Sequence, residues 1–117
     1  MVVEDHPLNR ELVVDLLEAA GYTVLQAEDG RGLLEQMKAE PPALILLDLQ
    51  LPDLDGFTLV RQLKAEPATR DIPVLATSAY ARPEDRTRAL EAGCIDFLTK
   101  PIDTEALVQT VARLLEQ

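Results

Sequence analysis

Two periodicities alternate along this chain, and together they leave it few possible folds. Five short apolar runs of strand length, at residues 1–3, 23–26, 43–47, 73–76 and 95–98, are separated by longer stretches whose apolar residues recur at helical spacing. Such alternation predicts a parallel sheet covered by crossover helices. The run Ile45-Leu46-Leu47 is continuous rather than alternating, which suits an inner strand covered on both faces. Right-handed crossovers then leave few α/β topologies, of which the three-layer doubly wound sandwich leads.

Between the runs, Leu8, Leu12, Val13, Leu16 and Leu17 form the first helical stripe, opened by Pro7 in the first turn and closed by Gly21. Leu33, Leu34 and Met37 form a shorter second stripe, and Phe57, Leu59, Val60 and Leu63 a third. The last comprises Leu107, Val108, Val111, Leu114 and Leu115. A fourth helix, at 83–92, is the least apolar, with little beyond Ala89 and Leu90 among Glu and Arg, so its outer face is open to a partner.

The 117 residues, without a composition break, predict one domain spanning 1–117 and leave no room for an output domain. Eleven Lys and Arg against 21 Asp and Glu give a net charge of −10, which argues against nucleic acid as a partner. No apolar run approaches the length of a membrane span, and no basic, then apolar leader opens the chain, so the expected location is cytoplasmic. Cys94, the lone cysteine, is expected to be a small core residue.

In a doubly wound sheet, ligands bind outside the carboxyl ends of the strands. Those positions hold Glu4-Asp5 after the first run, Asp48 after the third, Thr77-Ser78 after the fourth and Thr99-Lys100-Pro101 after the fifth. Two carboxylates about 5 Å apart repel by roughly 3 kcal/mol at an effective dielectric near 20, so converging acids need a cation or a raised pKa. Mg2+ fits this chemistry, because it takes oxygen ligands and is commonly shared between carboxylates and a phosphate. Lys100 and Thr77 could then act on the same phosphoryl oxygens. Each residue also has an ordinary structural role open to it. Glu4 and Asp5 could serve the positive end of the first helix, Asp48 a turn, Thr77 the local backbone, and Lys100 a solvated strand end. The functional reading rests on their coincidence at one edge.

Val2-Val3-Glu4-Asp5, Leu46-Leu47-Asp48-Leu49-Gln50-Leu51-Pro52 with Asp55-Gly56, Ala76-Thr77-Ser78-Ala79 and Thr99-Lys100-Pro101 resemble, in order and spacing, the signature segments of response-regulator receiver domains. The resemblance spans essentially the whole chain. It implies a flavodoxin-like (βα)5 fold with a five-stranded parallel sheet in the order 2-1-3-4-5. It also implies two-component phosphorelay signalling, with Asp48 as phosphoacceptor. Asp5 and Asp48 would bind Mg2+ directly, Glu4 through water, and Gln50 through its backbone carbonyl. Thr77 and Phe97 would be the switch pair, and Lys100 would contact the phosphoryl oxygens, aimed by a cis bond to Pro101. The implied donor is a histidine kinase or histidine phosphotransfer protein. A downstream protein partner would read the face formed by the fourth helix, fifth strand and fifth helix, on a monomer or weak homodimer.

The stretch from Glu4 through His6 to Asn9 is similar to stand-alone receivers and to those of hybrid kinases, with His6 expected in an exposed loop. Only three residues precede Glu4, so the first strand is expected to be short. Two other classes compete: a receiver-like binding module that is never phosphorylated, and a phosphohydrolase with Asp48 as nucleophile. Haloacid-dehalogenase-like hydrolases place a second Asp two positions on, where this chain has Gln50. Neither a P-loop nor a dinucleotide glycine pattern is present.

Overall fold

The computed structural model describes residues 1–53, 55–79 and 82–116. Strands and helices alternate strictly: β1 (Val2–Val3), α1 (Pro7–Ala19), β2 (Gln26–Ala27), α2 (Leu33–Ala39), β3 (Ile45–Asp48), α3 (Gly56–Ala65), β4 (Val74–Ser78), α4 (Pro83–Ala92), β5 (Asp96–Thr99) and α5 (Thr104–Leu115). The sheet is parallel throughout, in the order β2-β1-β3-β4-β5. The chain has the expected flavodoxin-like α/β fold.

Alternation within the inner strands builds the core on both faces at once. Val3, Ile45, Leu47, Val74 and Ala76 point to one side and pack with Leu33 and Met37 of α2, Leu59, Val60 and Leu63 of α3, and Ala89 and Ala92 of α4. Val2, Leu46 and Leu75 point to the other, against Val13, Val14 and Leu17 of α1 and Leu107, Val111 and Leu114 of α5. With both faces apolar, the strand ends are where the sheet can present polar groups. Cys94 is buried within the first cluster, as expected of a small core residue. No helix among the described residues is long and apolar enough to cross a membrane.

Several boundaries depart from the sequence expectations. The second strand is Gln26–Ala27 rather than 23–26, because its neighbour β1 offers only Val2 and Val3, in register with Gln26 and Ala27. A strand is only as long as the partner that pairs with it. The fifth strand runs Asp96–Thr99, one residue later than 95–98, leaving Ile95 half exposed. In α1 the buried face is Val13, Val14 and Leu17, while Leu8 and Leu12 are 70% and 51% exposed. The stripe is narrower than predicted because the first turns of α1 lie beyond the end of the two-residue β1, with no strand beneath them to cover. His6, exposed as expected, is the N-cap of that helix. Its Nδ1 accepts the Asn9 N–H at 3.4 Å, a role considered for Glu4 and Asp5.

Local chemistry sets how α3 starts. Asp55 caps it, accepting from the Phe57 N–H and the Thr58 hydroxyl, both at 3.2 Å. Gly56 presses against the backbone that follows Asp48, and a Cβ there would lie 2.5 Å from Leu49 Cα and 2.9 Å from its carbonyl oxygen. The better helix propensity of alanine, ~1 kcal/mol at most, works against this clash with rigid backbone atoms. Gly56→Ala is expected to lose about 1–3 kcal/mol, as overpacked sites do, seen as a lower urea midpoint at unchanged slope. An unshifted midpoint would mean that the β3–α3 loop yields freely.

Candidate functional site

Four strand ends deliver the polar residues to one edge of the sheet. Glu4 follows β1, its backbone N–H donating to the Ala27 carbonyl at 3.0 Å. Asp48 is the last residue of β3, in register with Thr77 of β4, which in turn faces Leu98 of β5. Lys100 follows β5, tied by its N–H to the Ser78 carbonyl at 2.8 Å, and the Lys100–Pro101 bond is cis.

At the centre, the Lys100 ammonium donates to Glu4 Oε1 at 2.6 Å and to Asp48 Oδ2 at 3.0 Å. Both carboxylates are nearly sealed, Glu4 being 5% and Asp48 3% exposed. Asp48 Oδ1 accepts the Gln50 backbone N–H at 2.9 Å. Asp5, exposed at the rim, completes a cluster in which one oxygen each from Glu4, Asp5 and Asp48 lie within 4.8 Å of one another. Donors across an octahedral Mg2+ would be about 4 Å apart, so this all-oxygen set fits the ion with small adjustment.

Burial is the main force pushing the Glu4 carboxyl up to about 7, with hydrogen bonding to Asp48 adding to it and Lys100 opposing. Asp48 goes the other way. Burial raises it, but its hydrogen bonds with Glu4, the Gln50 backbone and Lys100 together hold it below the usual carboxylate range. Lys100, although burial disfavours its charge, is raised by the same two carboxylates. The resting pocket therefore holds an ionised Asp48 beside a cationic lysine, with Glu4 as the group that shares a proton near neutrality.

Not every residue singled out from the sequence converges on Asp48. Thr77 is buried, and its hydroxyl donates to the Leu47 carbonyl at 3.5 Å. Phe97 is packed in the core on the side of α2, α3 and α4. Gln50 does more than the sequence suggested: its side-chain Oε1 accepts the Ala79 N–H at 3.1 Å, bridging the loops that follow β3 and β4. Glu4 also has unexpected neighbours, with the His6 N–H at 3.4 Å from Oε2 and the Arg10 guanidinium at 2.9 Å from its carbonyl. These contacts join residues whose pairing has no periodic signature.

Comparison with known proteins places this geometry in a family. Residues 1–112 match the model of the response regulator receiver domain. The polar-differentiation response regulator DivK of Brucella anthropi is 36% identical over 115 residues, covering 98% of this chain and 94% of that protein. Among solved structures, a putative response regulator from Chloroflexus aurantiacus superposes with a TM-score of 0.93 at 31% identity, covering 99% of this chain and 95% of that one. The receiver domain of a sensor histidine kinase from Pseudomonas aeruginosa, solved with a magnesium ion coordinated in its active-site cleft, has a TM-score of 0.89 at 32% identity, covering 99% and 95%. With an acidic pocket of Glu4, Asp5 and Asp48 at the carboxyl edge of a 2-1-3-4-5 sheet, this chain belongs to the response regulator receiver domains of two-component signalling, which are phosphoacceptors rather than catalytic enzymes.

Proposed function

We propose that this chain accepts a phosphoryl group onto Asp48 from a phosphohistidine donor, a histidine kinase or a histidine phosphotransfer protein, and passes the signal on through a change in protein binding. The observation that carries the reading is the Asp48 carboxylate, buried at 3% exposure yet held ionised beside Lys100. A buried carboxylate kept charged is a competent nucleophile, and a strand end fixes its direction. One Asp48 oxygen attacks phosphorus as the P–N bond to the donor imidazole breaks. The departing nitrogen keeps the electron pair, and an acyl phosphate is left on Asp48.

Glu4, Asp5, Asp48 and the Gln50 carbonyl would hold Mg2+, with Glu4 acting through water. The bound ion supplies charge neutralisation for the transferring phosphoryl group. Lys100 turns from its carboxylate partners to the phosphoryl oxygens. Thr77, one strand over and in register with Asp48, donates at rest to the Leu47 carbonyl through a long 3.5 Å bond, and would donate to the same phosphoryl oxygens instead. Phe97 would follow Thr77 as the second member of the switch, altering the α4-β5-α5 face that a downstream partner reads. A cytoplasmic setting, where phosphohistidine donors are charged from ATP, suits this chemistry.

Incubation with acetyl phosphate and Mg2+ should add the mass of one phosphoryl group to the wild type and none to Asp48→Asn. Labelling of the mutant would move the acceptor elsewhere, and a folded wild type that takes up no phosphate would favour a binding module that is never phosphorylated.

A second expectation concerns pH. The folded-state pKa of Glu4, about 7, lies above its unfolded value of 4.5, so the folded state binds that proton more tightly. The stability this contributes is complete below the unfolded pKa and is lost as pH rises through 7. In chelator, the Glu4 contribution to unfolding free energy, read as wild type minus Glu4→Gln, should therefore fall between about pH 4.5 and 7, by less than ~3 kcal/mol, while the buried amino terminus, lowered to about 6, contributes in the opposite sense above pH 6. Asp48, shifted downward, contributes its own dependence only at lower pH. Urea titrations of Glu4→Gln should lose that fall; a pH slope equal to the wild type's would assign the effect to other groups.

A further inference from the structure

Residue 50 is where the loop after Asp48 is tied to the rest of the pocket rim. Its backbone N–H holds Asp48 Oδ1 at 2.9 Å, its side-chain oxygen holds the Ala79 N–H at 3.1 Å, and its backbone forms an antiparallel bridge with Asp55, the cap of α3. One residue thus touches the phosphoacceptor, the start of the β4–α4 loop and the start of α3. The segment beyond that loop is thinly anchored: in α4 only Ala89 and Ala92 are buried. Polar ties supply much of what fixes it. Arg88 stacks 4.0 Å from the centre of the Phe57 ring and sits 3.9 Å from Asp55, and Arg86 reaches Asp96 at 3.4 Å.

We propose that the Gln50 side chain is a positioning strut that holds Ala79, just beyond β4, in its resting place and releases it when Asp48 is phosphorylated, an inference that rests on Asp48 being the phosphoacceptor. Phosphorylation turns the Asp48 carboxylate into an acyl phosphate and brings roughly two negative charges and three strong acceptor oxygens into the same mouth. Hydrogen bonds to an anionic oxygen are about twice as strong as those to a neutral carboxamide oxygen. The neutral Gln50 acceptor therefore loses the Ala79 N–H to the phosphoryl oxygens, and Ala79 moves toward them. Because α4 has little apolar burial to resist, it follows. The strut makes the resting position a bonded state rather than the default of a slack loop, so that the two positions compete as discrete alternatives.

The test is backbone NMR on the full chain, with beryllofluoride and Mg2+ as the phosphoryl mimic, for the wild type, Gln50→Leu and Gln50→Glu. In the resting wild type, the Ala79 amide should show the shift and slowed exchange of a bonded N–H. Gln50→Leu, similar in bulk but without an acceptor, should accelerate that exchange about 3- to 10-fold, the range expected for one net hydrogen bond. It should also displace α4 amides such as Ala89, which Gln50 does not touch, along the line joining their resting and beryllofluoride-bound positions. Gln50→Glu keeps an acceptor and should retain the resting spectrum, which guards against a Leu variant that is merely misfolded. In the wild type, the mimic should break the Ala79–Gln50 bond and shift the Ala79 amide away from its resting position. An Ala79 amide unmoved by Gln50→Leu, α4 shifts off that line, or an Ala79 amide still at its resting, Gln50-bonded position once the mimic is bound would each overturn the strut. A wild type that binds no beryllofluoride at Asp48 would instead remove the phosphoacceptor reading on which it rests, an outcome told apart by the Asp48 resonances themselves.

Discussion

The site depends on one ammonium group. Lys100 lies within 3.0 Å of both Glu4 and Asp48, two acids that a parallel sheet has carried to the same edge and sealed from water. Without that charge, two buried carboxylates would face each other in a medium that screens them poorly, and both would be driven toward the neutral form. Removing one member of such a buried set strands the others and costs far more than a surface ion pair is worth. The opposite shifts of Glu4 and Asp48 follow from this arrangement. One cation and one shared proton cannot satisfy both acids equally, and the one holding the Gln50 backbone N–H as well keeps its charge.

The fold makes that convergence unavoidable. Parallel strands all end on the same side, and right-handed crossovers return each helix to the opposite end before the next strand begins. Both faces of β3 and β4 are taken up by apolar packing, so ionisable residues of these strands are confined to the ends. Asp48 and Thr77 are brought together by strand register, not by any affinity for each other. The same logic explains why Gly56 matters to chemistry it never touches. By admitting α3 close to Leu49, it sets the path of the loop on which Gln50 is carried.

What could be read from the sequence were the features that repeat or that the topology dictates. The runs around Ile45-Leu46-Leu47 and Val74-Leu75-Ala76 marked inner strands and core, the polar residues closing them marked the pocket, and the strand order came from the family resemblance. Strand length at β2 was not legible, because the apolar stretch 23–26 carries no record of how much partner strand lies beside it. Leu8 and Leu12 misled for a related reason: helical spacing reports a face but not where along the helix that face runs out of sheet to cover. Least legible were the bonds of Gln50 to Ala79 and of Arg88 to Phe57. They join residues far apart in sequence through loop conformations that no propensity encodes.

These unreadable contacts are concentrated around α4, and this is consistent with how a signalling domain divides its stability. The buried residues of α1 and α5, Val13, Val14, Leu17, Leu107, Val111 and Leu114, are the apolar anchors of one layer. Across the sheet, α4 presents only two buried alanines and is held by arginines reaching to Asp55, Phe57 and Asp96. Apolar burial varies smoothly with distance and resists displacement, whereas a polar tie is made or lost and can be outbid by a stronger charge. A helix secured by polar ties can thus yield to a change of charge nearby while the core beneath it stays intact, a construction suited to a signalling domain.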